Sequence, residues 1–138
     1  MLSLDNAVFG AAAYSAGQWR DELANPSGCV LLAFSELSGA AEGFVSAALA
    51  GDEFEIRKIG VIARARRRGI AQKMLTQVIA HMQGENPALH RCLIDVAADN
   101  STAIAFYARQ GFVEIARRRK YYAHGADAIV MEKILSGV

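Results

Sequence analysis

A chain of 138 residues that is 53% hydrophobic and 21% charged suits one globular domain with its own core and excludes a disordered segment. A net charge of +1 gives no whole-molecule field for nucleic acid, although basic residues gather at 64–68 and 117–120 and favour local anion sites. No apolar run approaches the roughly 18 residues of a membrane span, and residues 1–6 lack the basic start of a secretory leader, so the expected compartment is the cytoplasm.

Residues 1–27 carry little signal beyond a helix around 18–23. It should stop before Asn25-Pro26, because proline disfavours helical geometry in the residue before it. Trp19 reads as a core anchor or as a wall of a substrate groove, the core being the commoner place for a lone Trp. Strands at 29–34, 42–49 and 53–61, separated by Ser38-Gly39-Ala40 and Gly51-Asp52, predict an antiparallel meander. Cys29 and Cys92 sit far apart among apolar neighbours, outside any Cys-x-x-Cys or Cys/His cluster. They read as buried strand thiols, and no metal is expected.

A basic turn follows, Arg64-Ala65-Arg66-Arg67-Arg68-Gly69-Ile70-Ala71. Beyond it Ile70, Met74, Val78 and Met82, with Ala71, Leu75 and Ile79 beside them, make one wide apolar face of a helix running from Gly69 to about Gln83, with Gly84 as its cap. A helix N-terminus carries unpaired N–H groups and partial positive charge. With Gly69 allowing close backbone approach and arginines alongside, the turn suits a phosphate-rich ligand. Neither Gly-x-x-x-x-Gly-Lys-Ser/Thr nor Gly-x-Gly-x-x-Gly occurs in the chain.

Residues 91–97 read as a buried strand, and strand, crossover helix, strand predicts one parallel pairing. Asp99-Asn100-Ser101-Thr102 offers N-caps for a short helix to about Gln110, closed by Gly111. Strands at 112–118 and 128–135 complete the chain. The expectation is an α/β (α+β) fold, a single domain over 1–138, with one mixed, mostly antiparallel sheet flanked by helices.

Two motifs carry a resemblance. Arg66-Arg67-Arg68-Gly69-Ile70-Ala71 resembles the Arg/Gln-x-x-Gly-x-Gly/Ala pyrophosphate loop of the GNAT acetyltransferases. Asn100, Ala103, Tyr107 and Gly111-Phe112 resemble the second hallmark of that family, Asn-x-x-Ala-x-x-x-Tyr-x-x-x-Gly-Phe. Residues 42–135 are covered. The likeness is closest to the bacterial ribosomal-protein-alanine N-acetyltransferases, through Ile94-Asp95-Val96-Ala97-Ala98-Asp99-Asn100, Arg118-Arg119-Lys120-Tyr121-Tyr122 and Asp127-Ala128.

This resemblance implies acetyl-CoA as cosubstrate, no metal, and a protein or peptide N-terminus as acceptor, a ribosomal protein among the candidates. On charge and hydropathy neither a nucleic-acid nor a membrane partner is expected, and the chain is expected to be a monomer or weak dimer. By the same resemblance the backbone of Ile59, Gly60 and Val61 pairs with the pantetheine arm, where an N–H polarises the thioester. Arg66, Arg67, Arg68, Gly69, Ile70 and Ala71 hold the pyrophosphate, Asn100 contacts the pantetheine arm, and Tyr107 is the general acid for the thiolate. Asp95 stands where the family has a glutamate base. Aspartate is one methylene shorter, which favours a bridging water, and Glu55 is the rival base. Arg117, Arg118, Arg119 and Lys120, with Tyr121 and Tyr122, are candidates for the acceptor groove, Arg119 foremost among the basic residues. Val61-Ile62-Ala63 departs from the family's frequent Val-Asp-Pro. Alternatives are a lysine or small-amine acceptor, a non-catalytic acyl-CoA-binding module, and, last, a nucleic-acid-binding domain.

Overall fold

A computed structural model describes residues 14–135, the side chain of Arg64 apart, so the reading of residues 1–6 lies outside the described residues. Within them run helices α1 (Ala16–Ala24), α2 (Ile70–Glu85) and α3 (Ser101–Arg109). The strands are β1 (Gly28–Phe34), β2 (Ala41–Ala50), β3 (Glu53–Val61), β4 (Arg91–Ala97), β5 (Val113–Arg118) and β6 (Ala128–Ile134). The six strands form one sheet in the order β1-β2-β3-β4-β6-β5. Every pairing is antiparallel except β3 with β4, as the strand–helix–strand pattern predicts. Among the described residues no helix is long and apolar enough to cross a membrane.

Local chemistry sets the helix ends. Ser15 and Gln18 form a reciprocal capping box: Gln18 N–H donates to Ser15 Oγ at 3.1 Å and Ser15 N–H donates to Gln18 Oε1 at 2.7 Å. At the other end Asn25 N–H donates to Glu22 O just ahead of Pro26, as the proline predicts. Trp19 is buried, its ring edge-on to Phe44 at 5.4 Å, so the core reading of this residue is the right one. The expected stop of α2 at Gly84 is corrected. The helix passes through Gly84 to Glu85, because Asn86 makes the cap, both its N–H and its Nδ2 donating to Met82 O. Cys92 is fully buried as expected, whereas Cys29, on the edge strand β1, is only partly so.

Strand register assigns the two faces of the sheet. Ser46 lies opposite Lys58 and Ala48 opposite Glu55, so these four share a face. Glu22 reaches Ser46 from α1, which therefore covers that face. Val45 pairs with Ile59 and Ala47 with Ile56 on the other face. There α2 packs Met74, Leu75, Val78 and Met82 against the sheet. The contact is close: a Cβ at Gly43 would meet Gly60 O at 3.0 Å and Met74 Cε at 3.1 Å. Phe44, Phe54 and Phe112 are almost wholly buried in the core, and truncating such a ring to alanine typically costs about 3–5 kcal/mol.

The parallel pairing of β3 and β4 is short. It holds over Phe54/Cys92, Glu55/Leu93 and Ile56/Ile94 and then stops. At its closed end Arg91 ion-pairs with Glu53 at 2.7 Å and also with Glu132, tying three strands together. At the open end Arg57 is an extra residue, since Ser46 pairs with Lys58 but Ala47 with Ile56. Such a bulge bends its strand. Beyond it β3 follows β2, while β4 stays with β6 through Asp95/Val130, Val96/Ile129 and Ala97/Ala128. The two central strands part and leave a gap in the middle of the sheet.

Candidate active site

The gap opens into a cleft of about 780 Å³. Arg57, Lys58 and Ile59 line one bank and Asp95, Val96 and Ala97 the other. Successive residues of a strand point to opposite faces, and both sets of β4 residues line the cleft. It therefore passes through the sheet. Where strands part, backbone N–H and C=O groups lose their ladder partners and need others. An extended ligand carrying amides can supply them by adding itself as a strand.

On the α2 side stands Tyr107. Its ring is wedged between Phe106 and Phe112, with centroids 5.2 and 5.6 Å away, and the residue is 5% exposed. Burial first, then the neighbouring Cys92 and Tyr122, push its phenol well above the ordinary value. Tyr107 thus keeps its proton at neutral pH and can donate it.

On the α1 side lie two carboxylates. Ile56 and Ile94 pair on the α2 face, so Glu55 on β3 and Leu93 and Asp95 on β4 face α1. Asp95 Oδ2 is 3.9 Å from Arg118 Nη1, and Glu55 Oε1 accepts from Arg57 Nη1 at 2.9 Å. The β5–β6 connection closes this side with Tyr121 and Tyr122, whose rings meet edge to face at 5.2 Å, and with His124. Burial, then Asp95 and Tyr121, raise the Tyr122 phenol, with Arg118 opposing. The connection is tied down at several points. Asp127 Oδ1 accepts from Lys120 N–H at 2.9 Å, Asp127 O accepts from Ala98 N–H at 2.8 Å, and His124 Nε2 lies 3.1 Å from Asp99 Oδ2. The Lys120 N–H bond, more than the Arg117 guanidinium, holds the Asp127 carboxyl below its usual range.

Beyond the end of β3 stands the predicted anion loop. Arg67 and Gly69 both take left-handed φ, 66° and 75°. For Gly69 this conformation is the requirement, since an added Cβ there meets nothing within 4 Å. The first bond of α2 runs from Lys73 N–H to Gly69 O, so the N–H groups of residues 70–72 precede the ladder and point outward. Arg67 and Arg68 are exposed beside them, and Arg66 Nε donates to Val61 O at 3.0 Å, fastening the loop to β3.

The cleft lining unites Glu55, Ile59, Asp95, Asn100, Tyr107, Tyr121 and Tyr122. Asn100 also caps α3, its Oδ1 accepting from Ala103 N–H at 3.1 Å. Gly60 and Val61 are buried at the end of β3, beyond the lining, and Arg66 to Ala71 form the separate loop at α2. Arg119 is exposed and outside the lining, and Arg118 takes the place expected of it. Sequence reasoning missed Arg57, His124 and Tyr14, all of which line the cleft. Among the described residues no group of three or more His, Cys, Asp or Glu is placed to hold a metal ion.

Burial also makes a testable claim about pH. It pushes the Cys92 thiol from 9.0 to about 12, with Lys133 pulling the other way. The unfolded chain releases this proton from about pH 8.5 upward while the folded chain retains it. Stability present below about pH 9 is therefore lost as pH climbs toward about 12, and Tyr107 adds to the loss above about pH 10. The melting temperature should fall steadily above about pH 9, and Cys92→Ala should flatten the first part of that fall. A melting temperature that holds constant across this range contradicts the burial of both groups.

The sequence profile described as the Acetyltransferase (GNAT) family matches residues 2–112. The chain belongs to that family. N-alpha-acetyltransferase RimI of Mycobacterium tuberculosis is 34% identical over 82 residues, 59% of this chain and 49% of that protein. N-alpha-acetyltransferase 30 of Schizosaccharomyces pombe is 33% identical over 73 residues, 53% of this chain and 47% of that one. The chain thus aligns with about half the length or less of these curated relatives. Solved GNAT-like structures agree over nearly the whole chain. The ribosomal-protein-S18-alanine N-acetyltransferase of Escherichia coli superposes with a TM-score of 0.86 at 22% identity, covering 99% of this chain and 86% of that one. A chain of the NatC complex, solved with Gag peptide and CoA, gives 0.85 at 23% identity, covering 98% and 88%. At these identities the agreement establishes the GNAT fold.

Proposed function

We propose that this GNAT protein is an acetyl-CoA-dependent N-acetyltransferase whose acceptor is a protein N-terminal amine, with the N-terminal alanine of a ribosomal protein as the leading candidate. One observation carries the reading: the parting of β3 and β4 opens a cleft through the sheet with an acid, Tyr107, on one face and the carboxylate of Asp95 on the other. Acetyl-CoA fits this frame. Exposed arginines 67 and 68 and the free N–H groups opening α2 suit its phosphates, and the unpaired edge of β3 near Ile59 suits the amides of its pantetheine arm.

When bound, it supplies an acetyl group activated as a thioester. The chain's own residues do the rest. Asp95 takes the proton of the acceptor amine, directly or through one water, and the amine attacks the acetyl carbon. Tyr107 hands its proton to the departing sulfur. Tyr121 and Tyr122 wall the acceptor on the α1 face, and Asn100 borders the pantetheine arm. The two substrates approach from opposite faces, so transfer is direct within a ternary complex.

An α-amino group ordinarily titrates at about pH 7.7–8.0 and a lysine at about 10.4. A lone carboxylate helped by water suits the former, which is already roughly one-tenth neutral at pH 7. The relatives named N-alpha-acetyltransferase support the same acceptor class. Initial rates with both substrates varied test the mechanism. Intersecting double-reciprocal lines are expected; parallel lines, with an acetylated enzyme found by mass spectrometry, would exclude direct transfer.

A further inference from the structure

On the α1 face a chain of hydrogen bonds links three elements and runs from the interior to the cleft. Ser46 on β2 donates from Oγ to Glu22 Oε2 at 2.8 Å. Arg57, the bulged residue of β3, donates from Nε to Glu22 Oε1 at 2.7 Å and from Nη1 to Glu55 Oε1 at 2.9 Å. Exposure grades along it. Ser46 is 1% exposed and the Glu22 side chain 11%, whereas Arg57 and Glu55 stand at 38% and 39% in the cleft wall.

An isolated exposed ion pair would hold nothing firmly. Here both Glu22 oxygens are bonded in a site largely withdrawn from water, where charge-assisted bonds are short and directional. Arg57, two residues beyond Glu55 on the same strand, falls on the same α1 face and there reaches Glu22. The guanidinium is thereby fixed, and it fixes Glu55. The two carboxylates of the acceptor side consequently differ. Glu55 has Oε1 committed at 2.9 Å, while Asp95, among the described residues, makes a loose contact with Arg118 at 3.9 Å.

We infer that Glu22 and Arg57 are positioning residues for the acceptor: they hold Glu55 so that its second oxygen, Oε2, receives the acceptor's ammonium group before Asp95 removes a proton. Glu22 is absent from the cleft lining, so it acts only through Arg57. This rests on the proposed acceptor, an amine that arrives mostly protonated at pH 7. Glu55 is then a binding residue, and the base is Asp95.

The test is steady-state kinetics with acetyl-CoA and a peptide carrying a free N-terminal alanine, for wild type, Glu22→Gln, Arg57→Met, Glu55→Gln and the Glu22→Gln/Glu55→Gln double variant. Acetyl-CoA affinity is measured alongside as a control for folding. Each single variant should raise the peptide KM by about tenfold, with kcat and acetyl-CoA affinity within about twofold of wild type. The double variant should be no worse than Glu55→Gln alone, since the relay works through that residue. An unchanged peptide KM in a wild-type-like turnover background overturns the relay alone, as does an additive loss in the double variant or a matching loss of acetyl-CoA affinity. Wild-type protein that is silent toward the peptide overturns the acceptor reading and the relay with it.

Discussion

Tyr107→Phe should lower kcat by about 10²–10³-fold while acetyl-CoA affinity stays within about twofold. The substitution keeps the ring that packs against Phe106 and Phe112 and removes only the hydroxyl. The groups proposed to bind the coenzyme lie elsewhere, at the α2 N-terminus and along β3. The lost group is the proposed proton donor, whose pKa burial has raised, so it remains protonated across the physiological range. Any alkaline fall in the wild-type rate below about pH 10 must therefore come from another group. Single-turnover thiol release checks the first claim, and a variant with wild-type turnover would remove Tyr107 from the chemistry.

Asp95→Asn should cost about 10²-fold in kcat at pH 7, with the deficit shrinking as pH rises. The direction follows from the acceptor. At pH 9 about nine-tenths of an α-amine is neutral without help, so a missing base matters less there than at pH 7. Glu55→Gln should instead act on the peptide KM. Rate profiles over pH 6.5–9.5 separate the two carboxylates. A larger kcat loss from Glu55→Gln than from Asp95→Asn would exchange their roles, and a deficit independent of pH would exclude the acid–base role of Asp95.

Much of the frame was legible because local rules and packing agree. The crossover from β3 through α2 to β4 follows from the order of elements, and Tyr107 and Asn100 follow from a motif whose spacing fixes one side of α3. The parting of the strands was less visible, since it depends on a bulge. One trace stands in the sequence: Ile56 and Ile59 share the α2 face although three residues apart, which breaks the period of two.

Arg118 could have been singled out from residues 117–120 by the same counting. Asp95 pairs with Val130, and Ala128, two residues back on the same face, pairs with Arg118, whereas Arg119 falls beyond the strand. Gly84 misled because a glycine near a helix end imitates a cap, while the side chain of Asn86 makes the real one. Glu22 left no trace. Its partners Ser46 and Arg57 are 24 and 35 residues away, and only the packing of α1 over the meander brings them together.

The most direct measurement is thiol release from acetyl-CoA with a peptide panel: free N-terminal alanine, other free N-termini, and blocked N-termini with an internal lysine. Turnover confined to free N-termini and fastest with alanine is the expected result. Turnover with the blocked lysine peptides and none with free N-termini would contradict the assignment of the acceptor. Measurable acetyl-CoA binding with no thiol release from any peptide would contradict protein N-terminal acetylation altogether.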